Sequence, residues 1–388
     1  MEKHGFVHDI GVLSDQLPLL GTDIDSCTET VLDIEIFPNR PDLLSGETLA
    51  RAIRNFIHHE DAKPDLEVVK GEISLTVSPE LRDIRPVILG AVVRGVKLDE
   101  DDIDSFIKSL MDHQEKLHFA LGRGRKRASI GVHDLSRIKP PFHVKAVSGN
   151  TKFIPLAMDE PMSINQILET HPKGIDYAHL LDGFDLFPVI VDSNDSILSF
   201  PPIINGSHTT VGNETRDFFI DVTGWDLRSC ESSLMLIASQ LSERGGIIES
   251  VEVTGHDGNI GNYPNGKAVS HKLPCEILDG LLGRKLTDDE ISVAINRMGG
   301  KFISRNEGEI YLEMPRWRFD ILHHVDLVEE IAIGHGYEDL GTDVPKAPMT
   351  SIARSDGNLR RRIRDSMQGL GLMQIQSLTL SNDDDQFN

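Results

Sequence analysis

Residues 31–37, "VLDIEIF", alternate apolar and acidic positions, the period of a strand with one buried face. The two prolines of "PNRPD" (38–42) remove backbone donors and fix φ, which ends that strand. Ser45 is placed to cap a helix whose Leu49, Ile53, Phe56 and Ile57 share one face. The polar, proline-interrupted run "HHEDAKPDLEVVK" (58–70) reads as a linker, so residues 1–65 are expected to form a small α/β module.

The next stretch is strand-rich. β-branched runs at 72–77 and 86–98 precede an amphipathic helix over 101–122, with Ile103, Phe106, Ile107, Leu110, Leu117 and Ala120 on its apolar side and Gly122 as its C′ residue. Strand patterns recur at 128–133, 142–147, 187–193 and 196–204, with a capped helix after Ser163. A helix over 227–246 ends in a Gly pair and leads into a strand over 247–255. Residues 72–258 therefore read as one mixed α/β domain with a large sheet. "HDGNIGNYPNG" (256–266) is the next linker. Thr287 and Glu290 make a capping box before a helix that buries Ile291, Ile295 and Met298. A hairpin over 301–315 turns near Glu307-Gly308, and a proline-led loop runs into a helix, closing a third module at 264–340. Residues 341–352 read as a linker and 360–381 as a helix followed by a strand. The chain stops soon after, so 350–388 is expected to be an incomplete module.

Composition adds exclusions. Hydrophobic residues make up 39% and charged residues 26%, a globular balance. The densest apolar run, "VILGAVV" (87–93), falls short of the roughly 18–20 residues that span a bilayer. The N-terminus, "MEKHGFVHDI", lacks the basic-then-apolar order of a secretory leader, so no membrane partner is expected. Cys27, Cys230 and Cys275 are widely spaced and give neither a disulfide framework nor a zinc knuckle, which suits a reducing cytoplasm. The net charge, 39 − 62 = −23, argues against general polyanion binding. Two basic islands interrupt it, "GRGRKR" (122–127) and "RRRIR" (360–364). Either can meet phosphate, although short basic runs are more often solvated loops or helix faces.

Chemistry is harder to place. There is no P-loop, no Gly-x-Ser-x-Gly elbow and no His-Glu-x-x-His, and "GRGR" lacks the spacing of a dinucleotide loop. His323-His324 are adjacent and diverge by about 100° on a helix, so they read as surface residues rather than a ligand pair. The polar, proline-bearing segment 199–226 reads first as a loop whose side chains bond their own backbone, and second as a ligand pocket. Asp326, Glu329 and Glu330 fall at i, i+3 and i+4, with Asp320 in the loop before them. Such a set is either a wetted acidic face opposite Val325, Val328 and Ile331 or an oxygen site for Mg²⁺, and acidic faces are far the commoner.

Three stretches together carry a resemblance: "DIEIFPNRPDLLSGETLARAI" (33–53), "FPPIINGSHTTVGNETRDFFIDVTG" (200–224) and "RFDILHHVDLVEEIAIGHGY" (318–337). In order and spacing the chain resembles the β subunit of phenylalanyl-tRNA synthetase. "QEKLHFALGRGRKRASIGVHDLSRI" (114–138) and "HPKGIDYAHLL" (171–181) place it with the archaeal/eukaryotic form. The resemblance implies an α/β and α+β multidomain chain: an N-terminal module, an editing domain over 72–258, a winged-helix-like module of nucleic-acid-binding type, and the start of a catalytically inactive synthetase-like domain. It implies ATP-dependent attachment of phenylalanine by a partner α subunit in an (αβ)₂ assembly, and tRNA(Phe) as ligand. It also implies hydrolysis of tyrosine wrongly joined to that tRNA, in a pocket mapping onto Gln114, Arg125, Ser199, Asn205, Asp221 and Thr223. Asp221 would accept the phenol hydroxyl, with Ser199 and Thr223 in support; Asn205 and Arg125 would position the ester or the tRNA end. With no Ser-His-Asp arrangement in view, a bound water is the expected nucleophile. Gly206 departs from the serine-like residue expected after Asn205. Asp320, Asp326, Glu329 and Glu330 match positions that the family assigns to magnesium shared with the α subunit. Two other readings stand beside this one: a free-standing hydrolase acting on tyrosyl-tRNA in trans, and a non-catalytic tRNA-binding or assembly scaffold.

Overall fold

The computed structural model describes residues 9–99, 101–341, 354–382 and 384. The described residues up to Gly341 form one compact unit and those from 354 onward another. Among the described residues, no helix is long and apolar enough to cross a membrane.

The N-terminal module is α1 (Ile10–Gln16), β1 (Thr22–Cys27), β2 (Leu32–Ile36) and α2 (Gly46–Phe56). Asp9 caps α1, and Ser45 caps α2 by accepting from the Thr48 N–H, as its position predicts. Leu13, Leu17, Leu20, Leu43, Leu49, Ile53 and Phe56 close a small core, and Met298 from the third module completes it.

The central domain runs β3 (Val68–Val77), β4 (Val87–Arg94), α3 (Ile103–Ala120), β5 (Ala128–Asp134), β6 (Phe142–Ser148), β7 (Lys152–Phe153) and β8 (Met162–Ser163). It continues with α4 (Ile164–Thr170), α5 (Pro172–Tyr177), β9 (Leu186–Val191), β10 (Ile197–Phe200), β11 (Ile204–Asn205), β12 (Phe218–Gly224), α6 (Leu227–Ser242), β13 (Ile247–Thr254) and β14 (Ile260–Tyr263). Ten strands form one mixed sheet in the order β11-β10-β9-β6-β3-β13-β4-β12-β5, with β14 added to β13. β4 is buried on both faces, as its unbroken apolar run requires. Ile88 and Val92 face one core, while Leu89, Ala91 and Val93 face a second that α6 covers.

Three expectations shift here. The linker ends earlier than its composition suggests, because 68–70 already pair with β13. β14 forms inside the Gly/Asn-rich run at 256–266, pairing with the half of β13 that β4 leaves open. Gly122 is not the left-handed residue after α3; that conformation falls on Arg123, Gly124 and Arg125. Gly122 is needed for a different reason, since a Cβ there would meet the Ala128 carbonyl at 2.3 Å.

The third module is β15 (Val269–Pro274), α7 (Cys275–Leu282), α8 (Asp288–Arg297), β16 (Lys301–Asn306), β17 (Glu309–Met314) and α9 (His324–His335). Its sheet order is β15-β17-β16. The Thr287/Glu290 capping box and the turn at Glu307-Gly308 both form as expected. In the C-terminal unit α10 (Gly357–Gly369) forms, but the strand expected after it does not: residues 372–382 carry no regular structure. The linker expected at 341–352 lies almost wholly outside the described residues.

Polar contacts hold the modules of the first unit together. Glu47 on α2 is buried and accepts from Gln240 Nε2 at 3.0 Å and Arg244 Nε at 2.8 Å, both from the α6 region. Replacing Glu47 by alanine leaves Gln240 Nε2 without its acceptor and Arg244 with Asp102 alone, and is expected to lower stability by about 2 kcal/mol, read from the urea midpoint. A shift below ~0.5 kcal/mol would show the contact to be incidental.

Candidate functional site

The long sheet curls until its end strands face each other. Asn205 of β11, at one end, donates its side-chain amide to the Val132 carbonyl of β5, at the other, across 3.4 Å. α3 closes the remaining gap: Gln114 Nε2 donates to the Ile130 carbonyl at 2.6 Å, and Ile130 N–H donates to His118 Nε2 at 2.8 Å. The free edge of β5 is thus satisfied by side chains instead of a further strand. Between these walls lies a cavity of about 360 Å³, a size suited to a small ligand.

α3 has two working faces. Phe106, Leu110 and Leu117 enter the core, while Ile107, Met111, Gln114 and His118 line the cavity. Ile107 packs against the core as expected and also borders the cavity. Segment 199–205 forms the opposite wall, so the pocket reading of 199–226 prevails over the plain loop.

Of the pocket residues named from the resemblance, Gln114, Arg125, Ser199, Asn205 and Asp221 line the cavity. Thr223 does not. It lies two residues along β12 from Asp221, fully buried, with its hydroxyl 3.1 Å from Ser129 and within reach of Arg85. Ser129, opposite it in register, takes the place at the cavity surface. Ser199 Oγ is buried without a hydrogen-bond partner, which leaves a hydroxyl free to meet a ligand.

Arg125 is held in the left-handed region, φ 65°, and carried inward. Its guanidinium donates to the carbonyls of Pro202 and Ile203 and to Glu115 Oε1 at 2.6 Å, and lies 4.4 Å from the Tyr177 ring. Glu115 is held down at about 2, by the His118 ring 3.6 Å away and by Arg125. Its folded pKa lies below the unfolded value, so its contribution is full above pH ~4.5 and is lost as the pH falls toward ~2. Glu115→Gln is expected to flatten the acid limb of a stability–pH profile in that window and leave the profile above pH 6 unchanged in shape. An unaltered acid limb would contradict the assignment.

Asp221 is the centre of the floor. Its cross-strand neighbours are Gly90 on β4 and Gly131 on β5, so no side chain stands beside it in the sheet. The space is taken up by a hydrogen bond: Asp221 Oδ2 lies 2.7 Å from His133 Nε2, and His133 Nδ1 lies 2.8 Å from Thr209 Oγ1. All three residues are buried. An Asp–His–Thr chain therefore exists where no Ser-His-Asp arrangement was expected. Thr209 also lines the cavity, but the arrangement differs from a nucleophilic triad because its hydroxyl donates to the Gly206 carbonyl at 3.0 Å. The chain positions the carboxylate. The alternation Ser129, Gly131, His133 in "ASIGVHD" was the available signal for this face.

Beside the floor, at its Thr223 end, sits Arg85, 1% exposed, which sequence reading passed over. It donates to the carbonyls of Arg125, Lys126 and Thr223 and reaches the hydroxyls of Ser129 and Thr223. Burial lowers its pKa to about 10, against the opposing pull of Cys230 and Asp221. One buried cation thus ties the 122–127 loop to β12.

The four carboxylates of the implied magnesium set are engaged elsewhere. Arg318 grips Asp320 with Nε and Nη2, at 2.9 and 2.6 Å, and Glu330 with Nη1 and Nη2, each at 2.6 Å. Burial opposes its charge, but Glu330 and Asp320 overcome this and hold the guanidinium charged well above its ordinary range. Asp326 Oδ2 accepts the N–H groups of Leu322 and His323, capping α9. Glu330 is buried while Glu329 is exposed, so the three carboxylates of this helix face meet different surroundings. Glu329 is raised by partial burial and then by Glu330, Asp326 and Asp320. Among the described residues, no group of three or more His, Cys, Asp or Glu is arranged to hold a metal. Arg318 already supplies the positive charge that Mg²⁺ would bring, and the quartet in this arrangement does not fit the ion.

Comparison with known proteins agrees with this architecture. Residues 93–253 match the B3/4 domain and residues 271–337 the tRNA synthetase B5 domain. The chain is 40% identical over 375 residues to the phenylalanine–tRNA ligase beta subunit of Methanococcoides burtonii, covering 96% of this chain and 68% of the relative. It is 43% identical over 366 residues to that of Methanosarcina barkeri, covering 94% and 66%. A crystal structure of an N-terminal fragment of the phenylalanyl-tRNA synthetase beta subunit from Pyrococcus horikoshii superposes with a TM-score of 0.80 at 34% identity, covering 87% of this chain and 97% of the fragment. The chain belongs to the phenylalanine–tRNA ligase beta subunit family.

Proposed function

We propose that the chain serves as a β subunit beside an α subunit that carries out ATP-dependent aminoacylation in the cytoplasm, and that its cavity hydrolyses tyrosine wrongly esterified to tRNA(Phe). The observation that carries the editing reading is the pair of polar groups on an otherwise largely apolar cavity surface: the Asp221 carboxylate fixed by His133, and the unpartnered Ser199 hydroxyl. A tyrosine phenol donates to Asp221. Phenylalanine would bury that carboxylate with no donor for its second oxygen, Oδ1, the first being engaged by His133, and a site of this kind rejects such an analogue by as much as about 10⁴-fold.

Gln114, Asn205 and Arg125 lie at the walls and are placed to orient the ester. A water oxygen attacks the ester carbonyl, the acyl–oxygen bond to the ribose breaks, and the ribose oxygen leaves with a proton. Tyrosine and uncharged tRNA result.

The direct test is incubation of the chain, alone and with an α subunit, with tyrosyl- and phenylalanyl-tRNA(Phe). Rapid release of tyrosine with the phenylalanyl ester spared is expected. An unchanged tyrosyl ester in both preparations at high protein concentration overturns the editing reading.

A further inference from the structure

The basic loop at 122–127 walls a second recess, of about 330 Å³, lined by Arg85, Arg123, Lys126, His179, Leu180 and Trp225. Consecutive left-handed φ values at Arg123, Gly124 and Arg125 divide the loop between two environments. Arg125 is buried in the first cavity, while Arg123 and Lys126 are exposed at the second. The two spaces share a further wall, since Lys173 lines the first and His179 and Leu180 the second. The Arg125–Tyr177 stack belongs to the same two segments.

The recess carries the parts of a single-strand nucleic-acid site. Trp225 is 49% exposed, and its backbone N–H donates to the Arg127 carbonyl at 3.0 Å, which holds that stretch of main chain beside the loop and leaves the indole open to solvent. Arg123, Lys126 and Arg127 are exposed and form no ion pair among the described residues. In a chain of net charge −23, three neighbouring unpaired cations beside an exposed indole favour a polyanion with stacking bases. Asp226, next to Trp225, is turned to Ser229 N–H at 3.0 Å as the cap of α6 and leaves the cations unopposed.

Resting on the editing reading above, we propose that this recess binds the unpaired 3′ end of the tRNA acceptor arm. Trp225 stacks a base, Arg123 and Lys126 take the flanking phosphates, and the esterified terminal residue passes Arg125 into the first cavity.

The probe is an acceptor-arm RNA hairpin ending in unpaired ACCA, titrated into the full chain, with a blunt hairpin as control. Trp317, the other tryptophan, is buried, so Trp225 dominates any fluorescence change on stacking. The overhang hairpin is expected to quench the wild type, and Trp225→Phe to lose the signal while keeping the affinity. Trp225→Ala is expected to weaken binding about tenfold. Arg123→Glu with Lys126→Glu is expected to weaken it by roughly 30-fold and to flatten the salt dependence. Far-ultraviolet circular dichroism confirms that each variant folds. Equal affinities of wild type, Trp225→Ala and the double variant overturn the proposal, as does equal quenching by the blunt hairpin. Because binding is read without turnover, quenching by a chain that hydrolyses nothing would leave the recess assigned and remove only the editing reading.

Discussion

Gly131→Ala is expected to abolish discrimination in the cavity by adding a single methyl group. A Cβ at position 131 would sit 2.0 Å from Asp221 Oδ2 and 2.8 Å from His133 Nε2, on top of their hydrogen bond. The backbone at Gly131 is ordinary strand, so alanine is conformationally acceptable there and the clash falls on the Asp221 carboxylate first and on the His133 ring second. Asp221 must turn away, losing a charge-assisted hydrogen bond in a dry site. The expected stability loss is about 2 kcal/mol, and tyrosyl-ester hydrolysis should fall at least ~100-fold. Urea denaturation and a deacylation time course check the two parts. A stable variant with wild-type hydrolysis would show that the Asp221–His133 contact does not organise the floor.

Arg318→Ala carries the largest expected stability loss. The guanidinium is buried and neutralises Asp320 and Glu330 together. Its removal leaves buried carboxylates without a partner, at a cost of about 3–5 kcal/mol. The same variant tests the metal reading. Millimolar MgCl₂ should leave the melting temperature of the wild type unchanged, because Arg318 already occupies the charge centre, and should raise that of Arg318→Ala. A magnesium-dependent rise in the wild type alone would contradict the arrangement found here.

These residues also show how far the sequence could be read. Local signals were dependable where the chemistry is local. Thr287 with Glu290, Ser45 before α2, and Glu307-Gly308 in a hairpin each act within a few residues, and each forms as its spacing requires. Long-range satisfaction was not legible. β14 has little apolar character and pairs only because β13 extends past the reach of β4. Arg85, in "DIRP", reads as a surface residue until carbonyls from the 122–127 loop and β12 surround it.

Five of the six pocket positions implied by the resemblance line one cavity, and Thr223, which shares a face with Asp221, lies outside it. His133 and Thr209 went unnoticed because their meaning depends on β5 and the 207–209 turn being brought together. The acidic helix misled in the other direction. Three carboxylates at i, i+3 and i+4 suggest one cluster, but Arg318, two residues before Asp320, claims the buried pair.

The central claim is that Asp221 reads the phenol hydroxyl. The measurement that tests it is the ratio of kcat/KM for tyrosyl- over phenylalanyl-tRNA(Phe), for wild type and Asp221→Asn side by side. The account predicts a wild-type preference for the tyrosyl ester of about 10³-fold or more, falling by at least ~100-fold in the variant. An unchanged ratio in a folded Asp221→Asn protein would contradict it.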